Sequence, residues 1–313
     1  MNRIHNILVI VDPTAAEHPA IDKAARIAEK VGARLELFAC ETKQSRAMRY
    51  AAHLAKGGPV DFITHVRAIL ERLAKPLRER GLDVCIEIGA GDPLHEQLIE
   101  RTRTTNADLV VKDTHHHSLL KRTFVTNTDW HLIRGCPVPL LLTKSRPWAA
   151  APTIVAAVDP GHVNDKPDSL DARILEWARL LRDKLGGQLS AVHAYLPLVL
   201  VAEAASGVPA SVSPITPQLM EEEKSQQLAR LHSLVAPYGV SAERICTQLG
   251  VATDVIPRFA EEAGADVVTM GAISRSGLER IFIGSTAESV LESLPCDVLV
   301  VKPLDFAASL PFV

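Results

Sequence analysis

The sequence predicts two α/β domains in tandem, each a five-stranded parallel sheet flanked by helices. Three observations predict it. The chain has 313 residues, long for one compact core and natural for two domains of about 150 residues each. Four sequence blocks occur twice in the same order. Within each copy, short apolar runs alternate with stretches of helical spacing.

The repeat is read directly. ILVIVDP from Ile7 returns as IVAAVDP from Ile154. VCIEIGAGDPLHEQLIE from Val84 returns loosely as ICTQLGVATDVIPRFAE from Ile245, setting Cys85 against Cys246 and Gly89 against Gly250. ADLVV from Ala107 returns as ADVVT from Ala265, and CPVPLLL from Cys136 parallels CDVLVV from Cys296. The offsets run from 147 to 161 residues. A solenoid repeats every ~20–50 residues, so this period marks duplicated domains. The predicted domains are 1–147 and 151–307, related by a pseudo-two-fold. The segment 145–153, SRPWAAAPT, carries two prolines and reads as an exposed link between them.

Domain one reads in order as strand 5–11, helix 18–31, strand 34–40, helix 60–80, strand 83–88, helix 92–104, strand 108–112, helix 127–134 and strand 138–143. The strand runs are rich in Val, Ile and Leu without polar alternation, as expected when helices cover both faces of a sheet. Strands alternating with helices build a parallel sheet with right-handed crossovers. Ligands of such sheets bind beyond the carboxyl ends of the strands, where the strand order reverses. That rule directs attention to Asp12 and Asp159 after the first strand of each copy, and to the segments after the fourth. The last strands, VPLLLTK and DVLVVKP, are apolar and are expected at a sheet edge. Such an edge needs a cover, which predicts that the two domains cover each other there. A homodimer is a further expectation.

Composition narrows the function classes. Apolar residues are 47% and charged residues 23%, ordinary for a globular protein. The net charge is −3 and no long Lys/Arg run occurs, so a broad nucleic-acid face is not indicated. Five cysteines without a Cys-x-x-Cys fit reduced thiols in the cytoplasm. The first apolar run spans only about five residues, too short for a signal peptide or a membrane span.

After the fourth strand of domain two comes Gly271-Ala-Ile-Ser274-Arg275, then Gly277, then Gly284-Ser285-Thr286 and an apolar helical run. Here, and along nearly the whole chain, the sequence resembles the universal stress protein family. Its ATP-binding members carry Gly, two residues, Gly, nine residues, then Gly followed by Ser or Thr. This chain has Gly271, two residues, Ser274, nine residues, Gly284 and Ser285. The blocks FVTNTDWHLIRGCPVP and KSRPW resemble the tandem, E-type branch found in enteric bacteria.

The resemblance implies a Rossmann-like fold of the adenine nucleotide alpha hydrolase kind. It implies ATP in domain two, with Asp159 meeting the ribose or the phosphates carried by a metal such as Mg. The backbone near Val192 would meet the adenine, and Gly271, Ser274, Gly284, Ser285 and Thr286 would surround the phosphates. It also implies a role in survival of growth arrest, oxidative stress or DNA damage. Physically, glycine admits close approach of a phosphate. Free N–H groups at the start of a helix receive an anion, and Arg275 is placed to pair with one. The plain structural alternative is that Gly271 ends a strand while Ser285 or Thr286 caps a helix.

Domain one departs from the pattern. Its equivalent stretch is Asp113-Thr-His-His116, nine residues, then Thr126-Asn127-Thr128. Asp113 puts negative charge where a phosphate would approach, so domain one is expected not to bind ATP.

Other constellations read as structural. His115-His116-His117 lie too close on one short loop to converge on a metal, and a polar loop above the sheet is expected. Asp129 is expected as a first-turn carboxylate favoured by the helix dipole, and Trp130 as a packing residue. Ser285 lacks a Gly-x-Ser-x-Gly elbow, and neither a Walker loop nor Gly-x-Gly-x-x-Gly is present. The segment 196–219 reads as a loop ahead of a helix, or else as a lid over an apolar cavity. The reading is thus a non-enzymatic, ligand-binding stress protein. The alternatives are a slow ATPase or phosphotransfer enzyme at Gly284-Ser285, and an interaction module without nucleotide.

Overall fold

The structure is a computed structural model, and it describes residues 3–42, 62–116, 123–124, 126–161, 169–197, 216–272, 285–303 and 306. It divides into two units. One is built on Met1–Trp148, the other on Ala149–Ile273 and Ile283–Leu304. The division falls inside the proline-bearing stretch 145–153.

In the first unit, β1 (Asn6–Ile10), β2 (Arg34–Glu41), β3 (Val84–Ala90), β4 (Leu109–Asp113) and β7 (Leu140–Thr143) stand in the order β3-β2-β1-β4-β7, with every pairing parallel. Residues of both faces of the central strands are buried, Ile7, Leu8 and Val9 among them. That explains their unbroken apolar runs. Helix α1 (Pro19–Val31) starts with proline at its first position and ends on Gly32 at φ 72°, where the left-handed turn favours glycine. Its buried face is largely alanine, at positions 20, 24, 25 and 28, so the helix axis lies close to the sheet. Helix α2 (Phe62–Glu79) buries Val66, Leu70, Ala74 and Leu77, one stripe at helical spacing. Helices α3 (Leu94–Thr104) and α4 (Asn127–Gly135) pack together, and a Cβ added to Gly135 would stand 2.8 Å from Ile99 Cδ1.

The second unit repeats this plan. Strands β8 (Thr153–Ala157), β9 (Gln188–Tyr195), β10 (Ile245–Leu249), β11 (Val267–Gly271) and β12 (Asp297–Val301) run β10-β9-β8-β11-β12, again all parallel. Its helices are α5 (Ser169–Leu185), α6 (Pro217–Val235), α7 (Ala252–Glu262) and α8 (Ser285–Ser293). In both units the chain steps outward from β1 or β8 in one direction, then returns to the other side of that strand. The switch point therefore lies between the carboxyl ends of β1 and β4, and of β8 and β11.

One departure from the sequence reading and one difference between the repeats stand out. The predicted polar loop at the histidine triplet contains backbone pairing: β5 (His115–His116) pairs antiparallel with β6 (Thr123–Phe124). The first helices also differ in length. Both end on a glycine of positive φ, Gly32 or Gly186, but α1 has 13 residues and α5 has 17. The additional N-terminal turn of α5 carries Leu170, buried against the sheet. Most of the segment 196–219 lies outside the described residues.

Candidate functional site

At the switch point of domain two, β8 ends at Ala157 and is followed by Val158 and Asp159. Asp159 N–H donates to Asp171 Oδ1 at 3.1 Å, which ties the strand end to the first turn of α5. The Asp159 side chain keeps 30% of its surface open. Beside it lies a residue that the sequence reading missed, the buried His193 on β9. Its Nδ1 is 3.2 Å from Val158 O and 3.8 Å from Asp159 Oδ1. Burial pushes the His193 pKa down, against the pull of Asp159. A lone histidine inside the apolar run LSAVHAY was the available signal.

Val192 is buried in β9, and its carbonyl accepts from Val158 N–H at 3.1 Å. Gly271 closes β11. A Cβ there would meet Leu170 Cδ2 at 2.6 Å and Cγ at 2.9 Å. Its bare backbone therefore seats the additional turn of α5. Ser285 and Thr286 open α8. Ser274, Arg275 and Gly284 lie outside the described residues, as do the side chains of Ser285 and Thr286. The groups described fit a ribose or a hydrated cation at the strand ends. The Asp159 carboxylate is partly open, and the group packed against Gly271 is the uncharged Leu170 rather than a carboxylate. Among the described residues no three His, Cys, Asp or Glu side chains gather as a metal site.

Domain one builds its switch point differently. A cavity of about 700 Å³ opens there, bordered by Asp12, Lys112, Asp113 and Leu98. Asp12 Oδ1 accepts from Thr14 N–H at 2.9 Å and from its hydroxyl at 2.6 Å. Asp113 Oδ1 accepts from Ala20 N–H at 2.7 Å and from the Thr143 hydroxyl at 2.6 Å. The Asp113 carboxylate thus caps α1, and burial raises its pKa despite those two bonds.

The start of α4 forms a capping box. Thr126 Oγ1 accepts from Asp129 N–H at 3.2 Å, and Asp129 Oδ2 accepts from Thr126 N–H and its hydroxyl, both at 2.8 Å. Asp129 Oδ1 faces Lys112 Nζ at 2.7 Å, and the Asp129 side chain is fully enclosed. Lys112 Nζ also donates to Asp113 O at 2.9 Å. The first-turn carboxylate expected from the sequence is therefore half of a buried ion pair. In domain two the corresponding places on β11 and α8 hold Met270 and Ala287.

The flank of this cavity gives a pH prediction. His95 of α3 and His131 of α4 stack with ring centroids 3.8 Å apart. Burial and then the neighbouring His131 lower the His95 pKa, while Glu96 raises it. A histidine depressed in the folded state takes up its proton first in the unfolded chain. Stability is therefore lost as pH falls below the unfolded value of about 6.5. His193 acts with the same sign. Urea melts between pH 8 and pH 5 are expected to show falling stability, and His95→Gln is expected to reduce that slope. A slope identical to the wild type would remove His95 from the account.

No helix among the described residues is long and apolar enough to cross a membrane. The sequence matches the universal stress protein family over residues 3–144 and again over 152–302. It is 27% identical over 313 residues to universal stress protein E of Photorhabdus laumondii, covering 98% of this chain and 97% of that one. With universal stress protein E of Escherichia coli it shares 25% identity, covering 97% and 95%. A crystal structure of a Pseudomonas aeruginosa protein of unknown function aligns with a TM-score of 0.75 and 30% identity over 97% of this chain and 95% of that one. A universal stress protein from Archaeoglobus fulgidus shares the fold, with a TM-score of 0.64 at 16% identity, covering 95% of this chain and 98% of that one. Two parallel α/β domains, a twice-matched family and full-length relatives make the chain a tandem, E-type member of the universal stress protein family.

Proposed function

We propose that this stress-response protein acts in the cytoplasm without catalysing a reaction, and that its second domain holds ATP or a related nucleotide. Membership of the family supports the stress-response role. The observation that carries the nucleotide reading is the contrast between the two switch points. Domain one has Asp113 at the end of β4 and its own ion pair in the first turn of α4. Domain two has Gly271 at the matching place, with a part-open Asp159 across the gap. A phosphate approaching domain two meets the uncharged Leu170 rather than a carboxylate at that strand end, and the Asp159 carboxylate is available to ribose hydroxyls or to Mg. Ser274, Arg275, Gly284, Ser285 and Thr286 complete the assignment on the strength of the motif spacing.

Isothermal titration of the full chain with ATP and Mg tests the reading. The wild type is expected to bind one nucleotide, and Asp159→Ala is expected to weaken binding by about tenfold, the worth of one good charged contact. Undiminished binding by Asp159→Ala would place the nucleotide elsewhere. Phosphate released during the titration, and abolished by Ser285→Ala, would replace the non-enzymatic reading with an ATPase.

A further inference from the structure

The cavity of domain one has a chemistry of its own, independent of the reading given for domain two. Its floor is the end of β4 and its wall includes Val11, Pro13, Leu94 and Leu98. At the start of α4, where helix N–H groups attract an anion, the Asp129 carboxylate is already in place, accepting from Thr126 N–H and hydroxyl and facing Lys112. Charge along the lining favours a cation. Asp12, Glu17 and Asp113 line the cavity together with Lys112 and Lys144, and Lys112 is paired with Asp129.

The Asp113 carboxylate is the decisive group. Oδ1 accepts both of its hydrogen bonds, from Ala20 N–H and from the Thr143 hydroxyl. Among the described residues no donor reaches Oδ2. Burial holds the pKa of this acid above its ordinary value, against the bonds from Thr143 and Ala20 and the nearby His18 and Lys112.

We propose that domain one binds a small molecule carrying a protonated amine on an apolar body, with the amine on Asp113 Oδ2 and the body along Leu94 and Leu98. The site rejects phosphates and carboxylates. An amine supplies the donor that Oδ2 lacks and forms a charge-assisted hydrogen bond inside a partly enclosed pocket. An anionic head would stand against Asp113, and beyond it the Asp129 carboxylate already holds the Thr126 N–H and hydroxyl at the helix start.

The test uses the full chain and three probes that share one body: phenylbutylamine, phenylbutanol and phenylbutyrate. Calorimetry is expected to show saturable binding of the amine, weaker binding of the alcohol, and binding of the carboxylate weaker than that of the amine by about tenfold or more. Asp113→Asn keeps an oxygen for Ala20 and Thr143 but turns a donor into the pocket, and is expected to cut amine affinity about tenfold or more. In the wild type, the methyl signals of Leu94 and Leu98 are expected to shift with the amine. This readout does not depend on the folding of the variant. Absence of saturable amine binding, equal binding of the carboxylate, undiminished binding by folded Asp113→Asn, or shifts confined to other methyls would each overturn the proposal.

Discussion

Gly271→Asp, which places in domain two the residue that domain one carries, is expected to destabilise domain two by roughly 2–6 kcal/mol. Two costs add. The new Cβ falls 2.6 Å from Leu170 Cδ2, an overpacking worth about 1–3 kcal/mol. A carboxylate that enters without its hydrogen bonds adds about 1–3 kcal/mol. In domain one Asp113 avoids both. No leucine from a longer helix overlies it, and Thr143 donates to it from the paired position on β7. In domain two the residue paired with Gly271 is Val301, which offers no donor. Leu170→Ala combined with Val301→Thr should therefore rescue Gly271→Asp, although each alone is neutral or destabilising in the wild-type background. Denaturant melts followed through Trp177, in a chain with Trp130→Phe and Trp148→Phe, measure this cycle. Simple addition of the three effects would show that Leu170 and Val301 do not set the residue at 271.

The second large effect concerns the buried pair in domain one. Lys112→Met leaves the enclosed Asp129 carboxylate without its ammonium. Breaking such a pair from one side costs about 3–5 kcal/mol. Asp129→Ala strands Lys112 in the same way and also removes the return half of the capping box, worth about 1 kcal/mol. The double variant reproduces the Met270 and Ala287 of domain two. It is expected to be more stable than either single variant, within about 2 kcal/mol of the wild type, because a buried ion pair exchanged for apolar groups is often nearly neutral. Fluorescence of Trp130, next to Asp129, reports on the melting of this unit. A double variant less stable than both singles would mean that the pair is not the reason these two residues occur together.

The fold was legible because sheet strands covered on both faces leave continuous apolar runs. ILVIV and IVAAV announce β1 and β8, and the repeat supplies the order of the later strands and helices. Helix ends were equally open to reading, since Pro19 and Gly32 mark the two ends of α1. The candidate site was legible only in part. Topology directed attention to Asp159 and motif spacing to Gly271, but Lys112 and Asp129 lie 17 residues apart on a strand and a helix, and nothing in their spacing announces a pair. Gly271 looked like a phosphate glycine, whereas its immediate neighbour is Leu170, brought there by one added turn of α5 that the first repeat lacks. Nor did His193 have a partner in sequence. It meets Asp159 only because β8 and β9 are neighbours. Periodicity records which face of an element is covered, while side-chain partners are set by the register between elements.

The Asp129 carboxylate at the head of α4 has a consequence for the behaviour of the whole chain. A molecule that binds only the native form raises its stability in proportion to the logarithm of its concentration. Domain one carries an anion at that place as part of its own covalent structure; if it takes no phosphate-bearing metabolite, as expected from Asp113, such compounds add nothing to its stability. Starvation or recovery of the cell would leave that half equally robust. Any dependence of the protein's lifetime on the energy charge of the cell would be exerted through its other half.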